Sequence, residues 1–154
     1  TILTMKTIFD KSTIDELTVR VNALDENSKP LWGKMNVYQM TMHCTKWNEW
    51  VLGITNPVNG QEFLGKIFGK MALKSNTKND KPIGKNMPAG KAFTIKQKEC
   101  DLEAQKKTLM NLLADFENFS NDGFIHDFFG KMTREQIGIF VYKHSDHHLR
   151  QFNV

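Results

Sequence analysis

Five histidines, at positions 43, 126, 144, 147 and 148, are the residues whose type and spacing can do chemistry in this chain. A neutral imidazole offers one lone pair to a cation and one N–H to an acceptor. His144 and His148 are four residues apart, the spacing that sets two imidazoles on one face of a helix. At about 100° per residue, both fall within about 20° of the direction of Ile137, inside an apolar stripe that includes Phe140 and Val141. His147 falls at the edge of that stripe, and Lys143, Asp146 and Arg150 fall on its far side. The same arithmetic centres His43 on a stripe made by Met40, Trp47, Trp50 and Ile54. Three imidazoles from two segments therefore aim into one core. Neither stripe carries an Asp or Glu to pair with them, and a buried imidazole without a partner is costly. A divalent metal on His43, His144 and His148 satisfies all three lone pairs together. Gln39 and Gln151, each about 40° off its stripe, are candidates to hydrogen-bond those ligands. His126 and His147 are alternatives for a fourth ligand or a proton shuttle, against a simpler loop or surface role for each.

The elements that must position these residues are helices. Apolar residues at steps of three and four predict a first helix over about 12–24 (Ile14, Leu17, Val21, Leu24) and a third over about 101–119 (Leu102, Leu109, Leu112, Leu113, Phe116, Phe119). Asn36 with Gln39, and Thr133 with Gln136, have capping-box spacing and start helices that reach about 51–54 and about 152. Between the second and third helices lies a long connection, 55–99, holding every proline except Pro30. It contains a short amphipathic helix with Phe63, Leu64, Ile67, Phe68 and Met71 on one side and Lys66, Lys70 and Lys74 on another. Packing of that apolar side on the rest of the chain is the expectation, favoured over membrane contact because the helix is small and belongs to a single domain. The alternation over 91–95 is too short to predict a strand. Four helices with one long middle link read as an all-α four-helix bundle with a crossover. Trp32-Gly33-Lys34-Met35-Asn36 and Phe129-Gly130-Lys131-Met132-Thr133 echo one another as lead-ins to two of the helices.

Composition bounds the function class. The chain has 154 residues, 40% of them hydrophobic, and this fits one globular domain over 1–154 rather than a disordered chain. No run approaches the roughly 20 apolar residues of a membrane span, and residues 1–10 lack a signal-peptide core, so a cytoplasmic domain with no membrane partner is the expectation. The first residue is not Met, which leaves room for a missing leader or tag. Cys44 and Cys100 are expected as reduced, half-buried thiols. Between Gly60 and Lys98 nine lysines face only Glu62 and Asp80, a solvated face or an anion-attracting flap. Arg20, Arg134 and Arg150 all lie outside that stretch, so nucleic acid is not an expected partner.

The segments 30–44, from Pro30-Leu-Trp-Gly to Met-His43-Cys44, His126-Asp-Phe-Phe-Gly-Lys-Met-Thr133, and Tyr142-Lys-His144-Ser-Asp-His147-His148-Leu-Arg-Gln-Phe152 resemble the DUF1569 family. That family is placed in the DinB/YfiT-like superfamily of proposed metalloenzymes. The resemblance runs over nearly the whole chain and is most specific in the closing His-rich run. Lys85-Asn-Met-Pro88 is also similar to the family's middle segment, whereas Asp127 stands where the family usually has Pro. The resemblance implies an up-down-down-up four-helix bundle and a three-histidine metal site on His43, His144 and His148. It also implies relatives that are thiol-dependent transferases, isomerases or metal-dependent hydrolases, often dimeric, with no reaction assigned to DUF1569 itself.

Two functional readings follow. In the first, the chain is a metal-dependent enzyme, with zinc or nickel favoured, acting on a small and possibly anionic molecule with a low-molecular-weight thiol as cosubstrate. The ion would lower the pKa of a bound water or thiol, and lysines of the crossover such as Lys85 would orient the substrate. In the second, the chain is a non-catalytic bundle with a structural or vestigial metal, acting as a binding or stress-associated protein. A core of merely hydrogen-bonded histidines is the remaining option.

Overall fold

The computed structural model describes residues 4–154. Five α-helices dominate: α1 (Lys11–Asn22), α2 (Val37–Leu52), α3 (Phe63–Thr77), α4 (Leu102–Asp115) and α5 (Arg134–Gln151). Single 3-10 turns follow at Lys91–Phe93 and Phe116–Asn118. The two strands, β1 (Ile125–His126) and β2 (Gly130–Lys131), form a two-residue antiparallel hairpin that pairs His126 with Gly130. The protein is all-α in character. The four long helices read from the sequence are α1, α2, α4 and α5, and α3 lies in the long connection between α2 and α4. The 91–95 stretch forms a 3-10 turn, in keeping with its weak strand pattern.

Both capping boxes form as the spacing predicts. Asn36 Oδ1 accepts from Gln39 N at 2.9 Å and Gln39 Oε1 accepts from Asn36 N at 3.2 Å. Thr133 Oγ1 accepts from Gln136 N, and Gln136 Oε1 from Thr133 N. These reciprocal bonds fix the first turns of the two helices that carry the candidate histidines. Helix α2 stops at Leu52, so Ile54 leaves the stripe assigned to it and is exposed.

Helix α4 packs on α1 and α2, and α5 packs on α1, α2 and α3. The core between them is built from Leu17, Val21, Val51, Leu113, Phe116 and Ile137, all essentially inaccessible. Helix α5 is buried around most of its circumference. Its far side, which carries Lys143 and Asp146, is closed by ion pairs and carbonyls rather than by solvent. Asp146 accepts from Arg20 Nη1 at 2.9 Å and from Arg150 Nε at 2.8 Å. Lys143 Nζ donates to the carbonyls of Asn76 (2.8 Å), Asn79 and Lys81 (3.0 Å), at and beyond the C-terminal turn of α3. Cations are favoured at that end of a helix, where carbonyls lack intrahelical partners.

The orientation of α3 corrects the sequence reading. Gly65, Gly69 and Leu73 form the buried side, and Phe63, Leu64, Ile67, Phe68 and Met71 all face outward. The reason is steric. A Cβ on Gly65 or Gly69 would lie 2.3 or 2.2 Å from the Phe128 carbonyl oxygen, so only the glycine face lets the helix sit on the β1–β2 hairpin. No helix among the described residues is long and apolar enough to cross a membrane.

Candidate metal centre

His43 sits at the end of the second turn of α2, and Trp47 and Trp50 further along the helix are both buried. His144 and His148 lie one turn apart on α5. The structure brings these three rings together: each offers one ring nitrogen, and the three nitrogens lie within 4.8 Å of one another. Nε2 of His43 and Nε2 of His144 are 3.2 Å apart. Nitrogens sharing a tetrahedral zinc at about 2.0–2.1 Å stand about 3.3 Å apart, so the cluster is within a small side-chain adjustment of that geometry.

Hydrogen bonds at the back of the rings assign the tautomers. His43 Nδ1 lies 2.9 Å from the Phe93 carbonyl oxygen, which can only accept, so Nδ1 carries the proton and Nε2 the lone pair. His148 Nδ1 lies 2.9 Å from Gln151 Oε1. The Gln151 amide is itself oriented, because its Nε2 donates to the Trp32 carbonyl at 2.9 Å. His148 Nδ1 is therefore the donor as well, and its Nε2 is left as a lone pair. His144 stacks on Trp47, with centroids 3.9 Å apart and planes 21° apart. Its Nδ1 is buried and has no partner among the described residues. As a whole residue His144 is partly exposed, whereas His43 and His148 are buried. At most one proton, on His144 Nε2, is shared among three clustered nitrogens. That donor set fits a divalent ion and leaves a purely hydrogen-bonded trio under-protonated.

Electrostatics keep the rings neutral. Burial lowers all three pKa values, His148 to about 3 and His144 well below its ordinary value, and the neighbouring imidazoles push the same way. The bond to the Phe93 carbonyl offsets part of the effect at His43. Neutral imidazole is the form that binds metal.

The remaining candidates fall outside the cluster. His126 lies in β1, stacked on Phe129 with centroids 4.4 Å apart. Its Nδ1 accepts from the backbone N–H groups of Phe128 (3.1 Å) and Phe129 (3.2 Å). Burial lowers its pKa to about 3, so the Asp127 carboxylate 3.1 Å away makes no ion pair with it. His147 packs edge-on to Trp32 at 5.6 Å and to His148 at 5.0 Å, beside the cluster rather than in it.

Of the two glutamines, Gln151 holds a candidate ligand and Gln39 does not. Gln39 instead donates to the Ile95 carbonyl at 3.0 Å, while Asn36 Nδ2 donates to the Lys98 carbonyl at 2.9 Å. These two bonds strap the end of the crossover to α2 and so place the Phe93 carbonyl over His43. Sequence reasoning missed Phe93, whose contribution is a main-chain oxygen.

Beside His147, Lys85 Nζ stands 4.5 Å from the centroid of the Trp32 ring, and the Trp32 indole N–H is buried without a partner among the described residues. Cys44, next to His43 in sequence, turns away: it is fully buried rather than half-buried, with Sγ 3.8 Å from Met40 Sδ, and burial pushes its thiol pKa up. Both cysteines are free, and Cys100 is half-buried.

No curated protein and no solved structure matches the chain. The model of a family described as a protein of unknown function, DUF1569, matches residues 6–154, and the chain belongs to that family.

Proposed function

We propose that this protein is a metal-dependent enzyme with a DinB/YfiT-like, up-down-down-up four-helix bundle, binding one divalent ion through His43, His144 and His148. The carrying observation is the protonation pattern: acceptors behind His43 and His148 force their Nε2 lone pairs free, and those nitrogens cluster with His144. Zinc or nickel suits three imidazoles, and either would act as a Lewis acid that lowers the pKa of a water or thiol ligand.

The chain's own residues supply positioning. The Phe93 carbonyl and Gln151 hold two ligands in one tautomer, and Trp47 holds the third ring by stacking. The Lys85 ammonium, held over the Trp32 ring, is a donor for an anionic small molecule. Cys44, the cysteine next to His43 in sequence, is buried in the core and offers no thiol there, which favours a low-molecular-weight thiol as cosubstrate. Transfer to or from such a thiol, or hydrolysis, is the reaction class this arrangement supports. A non-catalytic bundle with a structural ion is the second reading, favoured by the aromatic wall of Trp47 and Phe140 behind His144.

The test is elemental analysis of untagged protein after exposure to zinc and nickel, alongside His144→Ala. About one ion per chain in the wild type, lost in a variant with unchanged circular dichroism, is the expected result. A wild type that takes up neither ion overturns the proposal.

A further inference from the structure

Helix α3 presents an unusual surface. Its outward side carries Phe63, exposed by 74%, Met71, exposed by 68%, and Leu64, Ile67 and Phe68 between them. At about 100° per residue these five span an arc of about 140°, opposite the glycines that touch the hairpin. Large apolar side chains gathered on one exposed face mark an interaction surface. Lys66, Lys70 and Lys74 line one flank of the arc, and the 15-residue helix contains no Asp or Glu. The helix is about 22 Å long, too short to span a bilayer and long enough to lie along one.

We infer that α3 docks this protein, side-on, to an anionic lipid surface. The chemistry is that of an interfacial helix, with aromatic and aliphatic side chains entering the headgroup boundary and lysines meeting lipid phosphates. A second copy of the chain fits the face less well. Two α3 helices packed face to face bring six lysines to the contact and no carboxylate from either helix to pair with them. The neighbouring sequence keeps the same sign, with Lys78, Lys81 and Lys85 following against Asp80 and the N-cap Glu62. The expectation that this helix does not touch a membrane depended on its apolar side packing inward, and the glycine face takes that place instead.

The experiment is co-sedimentation of the full chain with vesicles of phosphatidylglycerol and phosphatidylcholine, compared with phosphatidylcholine alone. Binding to the anionic vesicles, weakened by added salt, is expected. The Lys66→Ala/Lys74→Ala variant should bind about thirtyfold more weakly, at about 1 kcal/mol for each lysine near the surface. Ile67→Glu should lose at least tenfold. Phe63→Ser serves as a second apolar variant should Ile67→Glu alter the circular dichroism. Absence of binding to anionic vesicles overturns the inference, as does equal binding by the variants. A wild-type dimer in solution that Ile67→Glu dissociates, without vesicle binding, assigns the face to a second copy and also overturns it.

Discussion

Replacing Gln151 with Leu tests the tautomer argument on which the metal reading stands. In the wild type this one amide accepts from His148 Nδ1–H at 2.9 Å and donates to the Trp32 carbonyl at 2.9 Å. Leucine keeps the bulk and removes both bonds, so His148 loses the acceptor that fixes which nitrogen carries its proton. Removing the partner behind a histidine ligand typically weakens metal binding 10–100-fold, about 1.4–2.7 kcal/mol. Leaving a buried donor unpaired costs the fold about 1–3 kcal/mol as well. Two measurements separate these effects: zinc affinity by competition with a chromophoric chelator, and the melting temperature of chelator-treated protein. The expected result is a lower affinity together with a melting temperature reduced by a few degrees. An affinity within about twofold of wild type, with the melting temperature lowered, would reduce Gln151 to a structural bond and refute the reasoning. Gly33→Ala approaches the same bond from the other side. A Cβ there would lie 2.6 Å from Gln151 Nε2 on a backbone of φ +79°, so it should give a milder version of both losses.

Burial holds folded His126 at about 3, and the unfolded side chain titrates near 6.5; its contribution to stability is therefore complete above pH 6.5 and is lost as pH falls towards 3. In chemical denaturation, His126→Asn should lose about 2 kcal/mol less than wild type between pH 7.5 and 5; equal losses would mean that His126 is protonated in the fold. Lys143→Met removes a buried ammonium from three carbonyls and should cost about 2–3 kcal/mol, read as a lower melting temperature, and a change under 0.5 kcal/mol, roughly the surface level, would count against that anchoring role. Gly69→Ala forces a Cβ against the Phe128 carbonyl and should lift α3 off the hairpin, costing about 1–3 kcal/mol and raising proteolytic cleavage within 63–77; unchanged cleavage contradicts the packing.

Much of the helical frame was legible because its signals are local. The capping boxes at Asn36 and Thr133 each need only two residues three apart, and both form as read. The inward aim of His43, His144 and His148 came from a period within single helices, and the three rings do meet. What could not be read depends on contacts between distant segments. The acceptor behind His43 is a main-chain carbonyl of Phe93, and a carbonyl has no residue-type signature. Gln39 and Gln151 occupy similar angles on their helices, yet only Gln151 reaches a ring, because the strap over α2 takes up the other. Amphipathicity identified the apolar side of α3 without saying which side meets the protein. The signal that decides it was present as Gly65 and Gly69, four residues apart, and its meaning depends on the Phe128 backbone arriving there. The 125–131 hairpin, with two residues per strand, is too short for alternation to show.

The Lys143 ammonium grips the tail of α3, and the next residue along α5 is His144. One rigid rod thus carries a tether on one side and two of the clustered imidazoles on the other. Any pull on α3, whatever surface it rests on, reaches the backbone a single peptide away from one of the three clustered imidazoles. Mechanical load and the spacing of the candidate ligands share a lever arm in this molecule.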